Sequence, residues 1–247
     1  MHRLPFRPLG RIASALLVAT TLAACGIDSA MSPRFAVVPP AHTPILFVHG
    51  WNANSTTWTT MVSRFKADGW TDAELANWSY DTRQSNATTA GLISKKVDSI
   101  LAATGATQVD IISHSMGALS ARYYVKNLGG GAKVDAWVSL GGPNHGTQTA
   151  YACYQTSCLQ MWPNSTFLTS LNATDETPST PRYATWWSSC DEVIYPQKSV
   201  ILSGATNTQT ACLRHSQLHE DATVYAQVRD WVKPPLLANV ASVGNAY

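Results

Sequence analysis

A serine stands where a strand-like segment of this 247-residue chain gives way to a helix-like one. Residues 109–112 are mostly apolar, the next five read Ser113-His114-Ser115-Met116-Gly117, and helical spacing follows directly. A tight turn in this context lifts a hydroxyl above a sheet at the N-terminal end of a helix, where partial positive charge favours a developing oxyanion. Ser113 replaces the usual glycine but keeps the side chain small. The pattern predicts that Ser115 is a nucleophile, although the five residues alone would equally fit a helix N-cap.

A serine nucleophile requires a histidine to take its proton and a carboxylate to orient the imidazole. In this context the acid and the histidine follow the serine in that order. His215 and His219 both come late enough. We predict His215 as the base because it follows a predicted strand and a loop. We expect His219 to be a capping or surface residue at the start of the last helix, and His114 to point elsewhere on the turn.

Four carboxylic residues are candidates for the orienting acid: Asp175, Glu176, Asp191 and Glu192. Asp191 directly follows the strand-like run 186–190, where an acid-bearing loop is expected to begin. Asp175 and Glu176 lie in a polar stretch that favours solvated side chains. We therefore predict Asp191 as the acid.

The elements that must position these residues alternate between two patterns. Short apolar runs predict buried strands, and longer segments with helical spacing and terminal glycines predict helices. Such alternation indicates a doubly wound, mostly parallel α/β sheet flanked by helices, in a single domain over residues 44–247. An irregular insertion at about 148–181 interrupts it and is a candidate partial lid. The predicted strands are 45–48, 74–80, 109–112, 134–140, 183–189 and 199–203, and the predicted helices are 55–68, 88–103, 116–128 and 220–233.

Several segments together resemble the small bacterial triacylglycerol lipases of the α/β-hydrolase superfamily, the group with the Bacillus lipases and class 2 lipases. The segments are Val48-His49-Gly50-Trp51, residues 110–117, residues 140–147 and the tail from Cys190 to Trp231. The first 43 residues and the insertion carry no resemblance.

The resemblance implies a lipase or carboxylesterase that acts on lipid or small esters through an acyl-enzyme. It also implies that the backbone N–H groups of Trp51 and Met116 hold the oxyanion, and it implies no metal and no cofactor. A polyester or thioester hydrolase or an acyltransferase of the same fold remains open. Two functions of other classes also remain open: a non-catalytic surface-binding module and a mainly structural envelope protein.

Four cysteines in the body of the chain predict disulfides, because an even number in an exported protein is typical of them. Pairing of sequence neighbours gives Cys153–Cys158 and Cys190–Cys212. The second pair would tie the acid loop to the histidine loop. Zinc is the alternative, since the spacing of Cys153 and Cys158 and that of His215 and His219 would each suit a metal.

The N-terminus resembles an export signal over residues 1–25. Three arginines precede a short apolar run that ends in Leu22-Ala23-Ala24-Cys25, which resembles a lipobox with Cys25 as the lipidated residue. Ordinary cleavage and free secretion is the alternative. Residues 26–43 read as a linker. We expect an exported monomer, secreted or tethered to the cell envelope through Cys25.

Charge argues against a nucleic-acid partner. The formal net charge is +2, and without the three leader arginines 14 basic residues face 15 acidic ones. No basic stripe remains for phosphates.

Overall fold

In a computed structural model that describes residues 40–233, six strands form one sheet. The spatial order is β2-β1-β3-β4-β5-β6, and every neighbouring pair is parallel. The strands are β1 (Ile45–Val48), β2 (Leu75–Ala76), β3 (Val109–His114), β4 (Val134–Leu140), β5 (Arg182–Trp187) and β6 (Thr206–Gln209).

Helices cover both faces of this sheet. The helices of the described residues are α1 (Thr59–Ala67), α2 (Asn86–Thr104), α3 (Gly117–Asn127), α4 (Thr156–Met161), α5 (Thr166–Asn172) and α6 (Ala222–Val232). Successive side chains of a strand point to opposite faces. Accordingly Phe47 and Ile112 pack in a cluster with residues of α1 and α6, whereas Leu46 and Ile111 pack in a second cluster with residues of α2 and α3. The predicted α/β-hydrolase architecture is thereby confirmed.

Two of the predicted strands were wrong at the edges of the sheet. The strand expected at 74–80 pairs with β1 only through Leu75 and Ala76. The strand expected at 199–203 is not a strand: Gln197–Val200 form a 3₁₀ turn, and β6 comes later at Thr206–Gln209. Val200, at the end of that turn, and Leu202, in the loop after it, are buried, while the true edge strand is polar and largely exposed. The apolar content of the sequence therefore led to the sixth strand being predicted in the wrong segment.

The insertion at 148–181 was expected to be irregular but contains helices α4 and α5. Ser165 caps α5 by accepting a hydrogen bond from the backbone N–H of Leu168. Leu168 and Leu171 of α5 pack in one cluster with Leu119 of α3. With six and seven residues, these helices are too short to show a 3.6-residue period in the sequence.

A buried arginine ties this insertion to α3. The guanidinium of Arg122 donates hydrogen bonds to the backbone oxygen of Asn144 at 3.2 Å, to Oδ1 of Asn172 at 2.6 Å and to the backbone oxygen of Glu176 at 3.4 Å. Burial lowers the pKa of Arg122 to about 10, so the side chain stays charged at neutral pH. The insertion is thus fixed to the helix that follows Ser115.

The predicted leader at 1–25, Cys25 and most of the linker at 26–43 lie outside the described residues. Within residues 40–233, no helix has the length and apolar character needed to cross a bilayer.

Candidate active site

Ser115 lies in a strained turn between β3 and α3. Its φ is 56°, a left-handed value that is uncommon for a residue other than glycine. Its backbone N–H donates to the oxygen of Leu140 at 2.9 Å. Two glycines make room for the turn: a Cβ on Gly50 would lie 2.7 Å from Cβ of Ser115, and one on Gly117 would collide with the backbone oxygen of His49. The geometry is that of a nucleophile elbow.

The imidazole of His215 is held by a buried carboxylate. Nδ1 of His215 donates to Oδ2 of Asp191 at 2.8 Å, and Asp191 is 1% exposed. The other oxygen, Oδ1, accepts from the backbone N–H groups of Val193 and Ile194, both at 2.9 Å. These two donors fix the orientation of the carboxylate. Because Nδ1 carries the proton, Nε2 of His215 is left as the acceptor.

His215 and Ser115 line one cavity. Within residues 40–233, Nε2 of His215 is buried without a hydrogen-bond partner. The hydroxyl of Ser115 is not hydrogen-bonded to it, and such contacts often tighten only when substrate binds. The structure therefore brings Ser115, Asp191 and His215 to one site and leaves Nε2 of His215 without a partner among the described residues.

The alternative acids have other partners. Glu176 accepts from Nε2 of His145 at 2.6 Å and from the backbone N–H of Ser203, and exposed Asp175 accepts from the N–H of Thr177. Glu192 accepts from the backbone N–H of His215 at 3.0 Å. Glu192 therefore fixes the loop that carries the imidazole rather than the imidazole itself.

The expectations for the two neighbouring histidines were wrong. His219 is buried, and α6 is capped instead by Asp221, which accepts from the N–H groups of two residues in its first turn. His114 does not point away: its Nε2 donates to the backbone oxygen of His215 at 3.1 Å, and its ring lies 4.5 Å from that of His215. Burial, with the nearby imidazoles of His215 and His219, holds the pKa of His114 well below its usual value. His114 is thus a neutral support beneath His215.

Disulfides and one hydroxyl join the loops around the site. The bonds are Cys153–Cys158 and Cys190–Cys212, the two pairings predicted. Cys153 and Cys158 are therefore not the thiolates that the zinc alternative requires. The hydroxyl of Ser188, which the sequence did not single out, accepts from the N–H groups of Cys190 and Leu213. The Cys190–Cys212 bond and the Ser188 hydroxyl both connect the Asp191 loop to the His215 loop.

The cavity over Ser115 has a volume of about 500 Å³ and mostly apolar walls. Those walls are formed by Trp51, Ala150, Ala152, Met161, Val193 and Ile194 together with the Cys153–Cys158 bond. The insertion therefore lies at the site, as the lid hypothesis requires, and forms a wall of the cavity. This space is suited to an acyl chain.

Two backbone donors are available near Ser115. Within the described part of the chain, neither the N–H of Trp51 nor that of Met116 donates to a protein acceptor. Tyr80 supports the Trp51 loop: its ring stacks on His49 at 4.1 Å, and its hydroxyl donates to the His49 backbone oxygen. Burial lowers the pKa of His49. Tyr80 was missed because its partner lies 31 residues away.

The order of these features along the sheet defines the class of protein. The elbow follows β3, the carboxylate follows β5 and the imidazole follows β6, which is the arrangement of an α/β-hydrolase.

Residues 42–231 match the family of class 2 lipases, and the chain belongs to that family. Among solved structures it is similar to Bacillus licheniformis lipase BlEst2 in its mature form, with 18% identity over 80% of this chain and 95% of that one and a TM-score of 0.70. It is also similar to Aspergillus fumigatus lipase B, with 18% identity over 78% and 54% of the two chains and a TM-score of 0.66. The esterase RhEst1 from Rhodococcus sp. ECU1013 has 17% identity over 78% and 90%, with a TM-score of 0.53. At these identities the structural matches show the fold.

Proposed function

We propose that this protein is a serine hydrolase that cleaves carboxylic esters through an acyl-enzyme. One observation carries the proposal: the imidazole of His215 is oriented by buried Asp191 at 2.8 Å, its Nε2 has no hydrogen-bond partner among the described residues, and His215 and Ser115 line the same cavity. Membership in a lipase family supports it.

The reaction proceeds in two halves. Nε2 of His215 takes the hydroxyl proton as Oγ of Ser115 bonds to the carbonyl carbon, and then passes that proton to the alcohol as the ester C–O bond breaks. Water next gives a proton to Nε2 and attacks the acyl carbon, and the acid leaves as Ser115 regains its proton. The N–H groups of Trp51 and Met116 hold the oxyanion in both halves.

The apolar cavity supports acyl esters as substrates, of the lipase or carboxylesterase type. p-Nitrophenyl esters of increasing acyl length, compared with emulsified triglyceride, test this. We expect hydrolysis of the esters and its loss in Ser115→Ala. Turnover confined to polyesters or thioesters, or transfer to an acceptor other than water, would support the related activities of this fold instead.

The two disulfides are consistent with export. We further propose that the chain is tethered through lipidated Cys25. Metabolic labelling with a fatty-acid probe, lost in Cys25→Ser, is the expected result, and a labelled Cys25→Ser variant would contradict it.

A further inference from the structure

A second cavity adjoins the one over Ser115. It also has a volume of about 500 Å³, and the two share Asn52 and Ala53 in their walls. Its character is different, because hydrogen-bonding side chains replace the apolar ones. The remaining lining residues are Asn54, Tyr80, Asp81, Thr82, Arg83 and Gln155.

Hydrogen bonds between loops hold this polar cavity together. The N–H of Asn52 donates to the hydroxyl of buried Thr82 at 3.1 Å. The indole N–H of Trp51 donates to Oε1 of Gln155 at 2.9 Å, which links the predicted oxyanion loop to the insertion. The cavity is therefore built from the same loop that borders Ser115.

The charges in this cavity balance. Nε of Arg83 lies 3.7 Å from Oδ1 of Asp81, and the two side chains are 74% and 63% exposed. Both can therefore meet a ligand. A phosphate near Arg83 would also face the carboxylate of Asp81, whereas neutral hydroxyl groups can donate to one and accept from the other.

We infer that the polar cavity binds the alcohol part of the ester, and that this alcohol is a neutral polyol such as glycerol or a sugar. This inference rests on the proposed ester hydrolysis at Ser115. The acyl chain occupies the apolar cavity while the polyol lies against the exposed pair of Asp81 and Arg83 and forms hydrogen bonds to both. Partial glycerides and sugar esters are then better substrates than triacylglycerols, because a second acyl chain would strip water from polar groups without replacing their hydrogen bonds.

The test compares soluble butyrate esters that share an acyl group and differ in the alcohol: glycerol monobutyrate, a glucose monobutyrate, ethyl butyrate and tributyrin. We expect kcat/KM for the glycerol or glucose ester to exceed that for ethyl butyrate and for dissolved tributyrin by about tenfold, the worth of one good hydrogen bond to a charged group.

Arg83→Met removes the guanidinium and keeps much of the side-chain volume. It should lower the ratio of kcat/KM for the polyol ester to that for ethyl butyrate by about tenfold. Lys95→Met removes an exposed cation from α2, outside the cavity, and should leave this ratio as it is. A thermal melt of each variant shows that it is folded, and a ratio is insensitive to the fraction of active enzyme.

Equal kcat/KM values for all four esters, or a ratio unmoved by Arg83→Met, would overturn the inference and leave the proposed function standing. A preference for short-chain phosphatidylcholine over the polyol esters would overturn the neutral polyol as ligand. If no ester of any kind is hydrolysed, the proposed function itself fails.

Discussion

Asp191 and Glu192 are neighbours that hold different parts of one histidine. The carboxylate of Asp191 accepts from the imidazole of His215, and that of Glu192 accepts from its backbone N–H. Asp191→Asn should keep the fold but favour the wrong tautomer, and kcat should fall by about 10⁴-fold. Steady-state kinetics on a p-nitrophenyl ester measure this loss of kcat.

Glu176→Gln is the matched control for that change, because its carboxylate bonds His145 rather than His215. Its kcat should stay within about threefold of the wild-type value. The reverse pattern, with Glu176→Gln inactive and Asp191→Asn active, would refute Asp191 as the acid.

Three buried histidines make stability depend on pH. Burial is the largest cause that lowers the pKa values of His49, His114 and His219. Below about pH 6.5 these histidines bind protons in the unfolded chain but stay neutral in the folded one. Their contribution to the free energy of unfolding is therefore fully present above that pH and is lost as the pH falls. The free energy of unfolding should fall by up to about 1.4 kcal/mol per pH unit for each histidine.

Urea denaturation between about pH 7.5 and pH 5 measures this slope. The side-chain amide in His114→Asn can still donate a hydrogen bond but does not titrate. This variant should reduce the slope by about 1.4 kcal/mol per pH unit, which corresponds to one proton fewer taken up on unfolding. A slope that does not change in this variant would show that His114 titrates normally in the folded protein.

Residue types, chain order and the lipase resemblance together predicted Ser115, Asp191 and His215. Ser115 and Asp191 each follow a recognisable strand, whereas the strand expected ahead of His215, at 199–203, is not one. The sequence did not predict the roles of His114, Tyr80, Ser188 or Glu192. Each of these side chains has a partner 23 to 101 residues away, and such contacts leave no local pattern.

At the scale of elements, Arg122 joins α3 to the wall of the cavity. Arg122→Met would leave the carbonyl oxygen of Glu176 and Oδ1 of Asn172 without their donor, while the backbone oxygen of Asn144 would keep only the side-chain amide of Asn172. Because such acceptors are costly to bury unpaired, the free energy of unfolding should fall by about 3 kcal/mol. Lys95→Met, on the surface of α2, should change it by less than about 0.5 kcal/mol in the same urea titrations. Equal stabilities of the two variants would contradict the anchoring role.

Element prediction succeeded where a strand is buried on both faces. β1, β3 and β4 are interior strands of the sheet: β1 is wholly apolar, and β3 and β4 are largely apolar and almost entirely buried. It failed for β6, because an edge strand needs little apolar surface, and for α4 and α5, which are held by tertiary contacts rather than by their own periodicity.

At the scale of the molecule, most of the large apolar side chains that are exposed belong to the segments that line the cavity. Of seven large hydrophobic residues exposed within residues 40–233, six line the cavity or adjoin a residue that does. Tyr154, at 77% exposed, is the most prominent, and Leu128 is the exception. This distribution favours adsorption of the open cavity onto a lipid surface.

Tyr154→Ser combined with Tyr195→Ser should weaken partition onto a tributyrin emulsion by about tenfold, whereas Leu128→Ser should have little effect. Sedimentation of the emulsion with bound protein measures the partition. Equal losses in the two variants would show that adsorption is not directed by the cavity mouth.

The central claim is that Ser115 is the nucleophile that His215 activates. Treatment with a fluorophosphonate probe, followed by tandem mass spectrometry of the digested protein, locates the covalent adduct directly. The adduct should be on Oγ of Ser115 and be absent in Ser115→Ala and in His215→Gln. An adduct on another residue, or an unlabelled wild-type protein that is fully folded, would contradict the account.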